Sequence, residues 1–144
     1  MKDLADRLSL LGKNKNLEAK DVAERIGINE NWYRDVESYH DEFTTNISIK
    51  QAVELTKILE TSVLALLSEN NKNSKANNIN PKEIIEGIKQ FQEKSKISLE
   101  ELENKIGWEI EPIYNDPNLI WERPIVFLQD TASVVGTNWE HYIK

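Results

Sequence analysis

Asn31 and Arg34 are the side chains of this sequence best suited to recognition chemistry. An arginine guanidinium can bridge O6 and N7 of guanine, and an asparagine amide can bridge N6 and N7 of adenine, so a helix presenting both types can read base edges. They lie in the run Asn29-Glu30-Asn31-Trp32-Tyr33-Arg34-Asp35. The same run fits a second chemistry. Tryptophan beside arginine is the commonest make-up of a protein-binding anchor, so Trp32 flanked by Glu30, Arg34 and Asp35 also suits a basic protein surface. The plainer role for Trp32 is packing on the His40 to Phe43 loop, and Tyr33 is most simply core.

Residues for catalysis are harder to find. Glu100, Glu101 and Glu103 share one helix, yet no histidine, lysine or nucleophile stands at useful spacing, and neighbouring acids on a helix mostly face solvent. The chain has no cysteine, which removes thiolate nucleophiles, disulfides and Cys-based zinc sites together. Its two histidines, His40 and His141, lie far apart in sequence and lack an i, i+4 partner. With no Ser/His/Asp set and no glycine-rich phosphate loop, the expectation is a non-enzymatic protein without metal or cofactor.

The 144 residues carry 18 basic and 25 acidic side chains, a net charge of −7. Residues 1–70 hold nine Lys/Arg against thirteen Asp/Glu and the remainder nine against twelve, so neither half is basic. Duplex DNA draws much of its binding energy from Lys and Arg at phosphates, so this balance argues against nonspecific nucleic-acid affinity while allowing a local basic strip. The composition, 39% hydrophobic and 30% charged, is that of a globular protein in water. No apolar run approaches a membrane span, and the first residues, with early acids and no small-residue cleavage site, do not read as a signal peptide. A cytoplasmic protein is expected.

The elements that position Asn31 and Arg34 begin at Leu17. Val22, Ala23 and Ile26 form the apolar face of one short helix, Gly27 supplies a left-handed stop, and Asn29 caps the next, whose Tyr33 and Val36 face back. Ahead of this unit, Leu4, Leu8 and Leu11 repeat at helical spacing, with Asp3 as cap and Gly12 as terminator. After Glu37, SYHDEFTTN has no period and reads as an exposed loop holding Asp41 and Glu42. Ser48 caps a helix faced by Ile49, Ala52, Val53, Leu55, Ile58 and Leu59. Ser62 caps a last one with Val63, Leu64, Leu66 and Leu67.

Residues 69–80 are Asn/Lys-rich with one large apolar side chain, Ile79, the composition of a linker. Asn80-Pro81-Lys82-Glu83 then opens a helix with a capping box, faced by Ile84, Ile85, Ile88 and Phe91. At an offset of 80 the first unit recurs: Leu17 stands opposite Ile97, Val22 opposite Leu102, Ile26 opposite Ile106, Gly27 opposite Gly107 and Tyr33 opposite Ile113. At an offset of 76, Ile58, Leu59, Val63, Leu66 and Leu67 stand opposite Val134, Val135, Trp139, Tyr142 and Ile143. This is an internal repeat. The second copy has Glu103 in place of Ala23, and Glu109, Glu111 and Pro112 where its second helix should begin. Trp108, Trp121 and Trp139 are read as core of that copy.

Ala23, Gly27 and Glu37 match a known pattern. Residues 17–37 resemble the helix-turn-helix of the Cro/lambda-repressor family, which has Ala in the first helix, Gly at the turn and Glu ending the second. Residues 47–67 resemble the family's last two helices. Two positions depart: Ala19 stands where Gln often sets a phosphate contact, and Asp35 where Arg or Lys is frequent. The resemblance implies an all-α chain of two tandem lambda-repressor-like units of about five helices each, over 1–68 and 81–144, joined by the polar linker 69–80, with the second unit degenerate. It implies a transcriptional regulator contacting double-stranded DNA through Lys20, Asn29, Asn31, Trp32 and Arg34, and a homodimer to span paired half-sites. Charge suggests the alternative. Three basic residues face six acidic ones over residues 17–37, which suits an immunity protein or antitoxin that neutralises a basic, nuclease-like toxin through Glu30, Trp32, Asp35, Asp41, Glu42, Glu109 and Glu111.

Overall fold

Among the described residues every regular element is helical. The computed structural model describes residues 4–39 and 41–144, so Asp3, read as a helix cap, and His40 lie outside the described residues. The described residues form α1 (Leu4–Asn14), α2 (Ala19–Ile26), α3 (Glu30–Ser38), α4 (Glu42–Thr45), α5 (Ile49–Ile58), α6 (Val63–Leu67), α7 (Pro81–Ser95), α8 (Leu99–Ile106), α9 (Glu111–Asn115) and α10 (Ile125–Val135), with 3-10 turns at Glu69–Asn71, Pro117–Glu122 and Trp139–Tyr142. Pairing of extended backbone among them is limited to two isolated bridges. None of these helices is long and apolar enough to cross a membrane.

The caps follow from residue type. Asn29, Ser48, Ser62, Asn80 and Ser98 each accept a first-turn N–H, and Ser48 forms a reciprocal box with Gln51. The box expected at Asn80 is only half made. Asn80 accepts the Lys82 and Glu83 N–H groups, but the Glu83 carboxylate turns outward to the Lys144 ammonium at 2.8 Å.

Two readings of the first half need correction. Gly12 does not end α1: it is buried within the helix, and the stop is Asn16, at φ 56°, where the Asn16 N–H reaches the Lys13 carbonyl and the Leu17 N–H the Gly12 carbonyl. Asparagine tolerates this conformation, so the helix runs past the glycine. The stretch after Ser38 is not simply an exposed loop. It folds into α4 because Phe43 is driven into the core, where it is fully buried, while the Thr45 hydroxyl donates to the Asp41 carbonyl at 2.7 Å.

The left-handed stops recur at the spacings of the sequence repeat. Asn16 and Lys96, and Gly27 and Gly107, stand 80 residues apart with positive φ, and Glu60 and Gly136 stand 76 apart. Packing is reciprocal as well: α5 lies against the Pro117–Glu122 turn of the second half, and α10 lies against α4 of the first. Between them Ser48 and Pro124, the residues before α5 and α10, pair as an antiparallel bridge, and the Ile49 N–H donates to the Arg123 carbonyl at 2.7 Å.

One hydrophobic cluster runs through both halves, from Leu8, Tyr33 and Phe43 to Ile88, Ile120 and Phe127. The polar stretch 69–80, expected as a linker, is tied to both halves. Ile79 is buried and pairs with Ile143, and Asn78 and Lys144 exchange backbone hydrogen bonds at 3.1 and 2.7 Å. Asn77 accepts the Val63 N–H at 3.1 Å and donates to the Thr56 hydroxyl at 3.0 Å, and the Ser62 hydroxyl donates to the Ser74 carbonyl. Asparagine side chains substitute here for the backbone pairing that a polar segment lacks.

Candidate nucleic-acid interface

The outer face of α3 is set by what its inner face buries. Tyr33 and Val36 point into the cluster beside Val22, Ala23 and Ile26 of α2, leaving Asn31, Arg34 and Asp35 exposed. The turn between the helices needs Gly27, whose φ is 79°, and the Ile28 N–H closes it on the Ala23 carbonyl at 3.0 Å. Ile28 is buried after the turn, which fixes how the chain enters α3. Lys20 is exposed on α2.

The candidate residues divide by what already occupies them. Asn29 spends its side-chain oxygen on the Trp32 N–H at 2.7 Å, so its exposed amide nitrogen is the part left for a ligand. Trp32 is half-buried against the core and lines a shallow cavity with Ile47, Gln51 and Pro124, rather than standing free as an anchor. Arg34 donates to Glu30 at 2.8 Å along the helix, an exposed i, i+4 pair worth only about 0.3 to 0.5 kcal/mol. So small a term does not prevent the guanidinium from turning to another acceptor. Asn31 carries no such partner among the described residues. Behind them, the Tyr33 hydroxyl is buried without a hydrogen-bond partner, and burial first, then the nearby Glu37 carboxylate, hold its pKa far above the ordinary phenol value.

No family model, curated protein or solved structure matches the chain.

The second copy is built differently at the same place. Glu103, which stands where the first copy has Ala23, does not face solvent like Glu100 and Glu101. Its carboxylate accepts the Ile110 N–H at 2.6 Å and the Glu111 N–H at 3.2 Å, and so caps the five-residue α9. Glu109, which stands where the first copy has the Asn29 cap, is thereby released and exposed together with Glu111. Arg123 covers this corner. Its guanidinium lies 5.6 Å from the Trp108 ring centre and 5.2 Å from that of Phe127, two rings meeting edge to face, and Trp108 donates to Asp130 at 2.9 Å. Burial lowers the Arg123 pKa, and Glu109 and Glu103 oppose that shift.

The acids named for a protein partner do not form one cluster. Glu30 is held by Arg34, Glu42 accepts the Asn46 amide at 2.6 Å, Asp35 and Asp41 are exposed on the first half, and Glu109 and Glu111 lie on the second. Among the described residues no group of three or more His or acidic side chains is placed to hold a metal ion. The Arg123 stack and the role of Glu103 were missed by sequence reasoning. A glutamate eight residues before a helix that starts with Glu-Pro, and lacks an Asn, Ser or Asp cap, is the signal that was there to read.

Proposed function

We propose that the chain is a DNA-binding regulator built as an internal pair of lambda-repressor-like units, in which the first unit reads duplex DNA and the second serves as a structural counterpart. The observation that carries this is the outer face of α3, where Asn31 and Arg34 stand exposed one turn apart on a helix locked by the Gly27 turn and the Asn29 cap. Lys20 on α2 and the amide of Asn29 supply phosphate contacts at its edge. The matched left-handed stops and the reciprocal packing of α5 and α10 support the tandem arrangement. Only the first unit carries readers, so two half-sites require two chains.

Titration against a pool of random duplexes, at low and at physiological salt, tests the reading. Enrichment of a sequence motif is expected, and Arg34→Ala should erase preference at one base pair, a loss of about 1 to 3 kcal/mol of discrimination. Few phosphate contacts are available to so acidic a surface, so the salt dependence should be shallow. Glu109→Ala should leave affinity unchanged or raise it. No enrichment at either salt removes the DNA reading.

One observation favours a second reading. Because Glu103 takes over the capping of α9, Glu109 and Glu111 project carboxylates where a recognition helix would meet phosphates. A basic protein, such as a nuclease that an immunity protein or antitoxin neutralises, meets acids on both units. Its test is co-purification of a basic protein with the wild-type chain and loss of it with Glu109→Lys and Glu111→Lys together.

A further inference from the structure

A cleft lies away from α2 and α3, in the angle between the two halves. It has a volume of about 660 Å³, within the range of roughly 300 to 1,000 Å³ that small-molecule sites occupy. Its walls come from α5, from the tied-down segment 75–78, from the Pro117–Glu122 turn and from Lys144. The cleft exists only because both halves and the intervening segment are packed together.

Its chemistry runs against that of the chain. A protein with a net charge of −7 lines this cleft with Lys50, Lys57, Lys75 and Lys144 against two acids, Glu54 and Glu122. Lys144 is already engaged by Glu83, but Lys50, Lys57 and Lys75 take part in no ion pair among the described residues. Lys50 and Lys57 lie seven residues apart, two turns along the same face of α5, and Lys75 comes from a separate segment, so the lysines line the cleft from two elements rather than along one strip. An apolar surface lies between them. Val53 is buried at the base of the cleft, and Trp121, half-buried and packed on the core, forms part of the opposite wall. Trp121 is therefore a fixed flat surface beside three uncommitted cations.

We propose that this cleft binds a small phosphorylated molecule with a planar ring, of the nucleotide class, its phosphates held by Lys50, Lys57 and Lys75 and its ring laid against Trp121. Lysine serves phosphate as a point charge that needs no fixed fork geometry, and a base or similar ring stacks on indole whatever its edge pattern. The phosphates offset three like charges at the opening, and the ring removes apolar surface of Trp121 from water. Because the ligand touches both halves and the segment joining them, its binding stabilises their packing, independently of whether α3 contacts DNA.

Tryptophan fluorescence and calorimetry with ATP, pyrophosphate and adenosine as probes test this on the full chain. ATP should bind and quench, adenosine should bind far more weakly, and pyrophosphate should bind without the quench. Trp121→Phe should remove most of the ATP quench. Lys50→Gln with Lys57→Gln should weaken ATP by at least about tenfold, the scale of lost charge-assisted contacts, with Lys75→Gln as an independent variant on the non-helical wall. Circular dichroism of each variant checks that the substitutions leave the fold intact. Absence of ATP binding overturns the proposal, as does unchanged affinity in all of the lysine variants. Equal affinity for pyrophosphate and ATP overturns the part assigned to Trp121, and equal affinity for adenosine and ATP overturns the part assigned to the lysines.

Discussion

Tyr33 and Thr131 each bury a hydroxyl that makes no hydrogen bond among the described residues. The Tyr33 ring is fully buried in the core cluster, and its hydroxyl, with the Glu37 carboxylate nearby, makes no hydrogen bond of good geometry, a state that costs about 1 to 3 kcal/mol when a group leaves water without a new hydrogen bond. Tyr33→Phe keeps the ring and discards that atom, so chemical denaturation should find the variant as stable as the parent or more stable by up to about 1 kcal/mol. The same hydroxyl gives a pH signature. Burial, with Glu37 close by, raises its folded pKa, so the neutral phenol is favoured in the folded state. The stability this contributes is whole below the unfolded pKa of about 10 and falls as pH rises beyond it toward the folded value. Stability measured from pH 9 upward should therefore drop, and the drop should be smaller in Tyr33→Phe; equal slopes in the two proteins would contradict the assignment.

At the scale of elements, the left-handed stops show what was legible and what was not. Gly27 and Gly107 announce themselves, since an apolar helical face followed by glycine is the usual signature of a helix end, and both take positive φ. Asn16, Glu60 and Lys96 do the same work without announcing it, because tertiary packing on either side dictates the turn and the residue accepts the strain. Lys96→Gly should raise stability by about 0.5 to 1 kcal/mol, since a left-handed lysine costs roughly 1 to 2 and glycine returns part as lost chain entropy. Gly27→Val should lower it by about 1 kcal/mol or more through the backbone alone, because the site has open space for a side chain. α4 and the Glu103 cap were illegible for a related reason. A four-residue helix shows no period, and a cap supplied by a side chain eight residues before the helix is defined only once the chain has folded. Glu103→Ala should cost about 1 to 2 kcal/mol by leaving the α9 N–H groups without their acceptor, whereas Glu100→Ala on the same helix should cost almost nothing.

For the whole molecule, the decisive residue is Ile79, the one large apolar side chain in a stretch whose composition reads as linker. Local composition describes what a segment prefers in isolation. It does not register that Ile79 is buried against the second half, that Asn78 pairs with Lys144, or that Asn77 completes the α6 N-terminus of the first half. With these ties and one hydrophobic cluster crossing from α3 to α10, neither half is bounded by solvent on the side it presents to the other. Opening one half exposes apolar surface on its neighbour, so the two should unfold together. Calorimetry should give a single transition whose van't Hoff and calorimetric enthalpies agree. Ile79→Ala should lower stability by about 2 to 4 kcal/mol, the range for truncating a buried isoleucine. Hydrogen exchange read separately over residues 4–67 and 81–143 should show protection falling by the same amount in both. A free linker between independent units would leave both values unchanged, and loss confined to one half would mean that the shared core does not couple them.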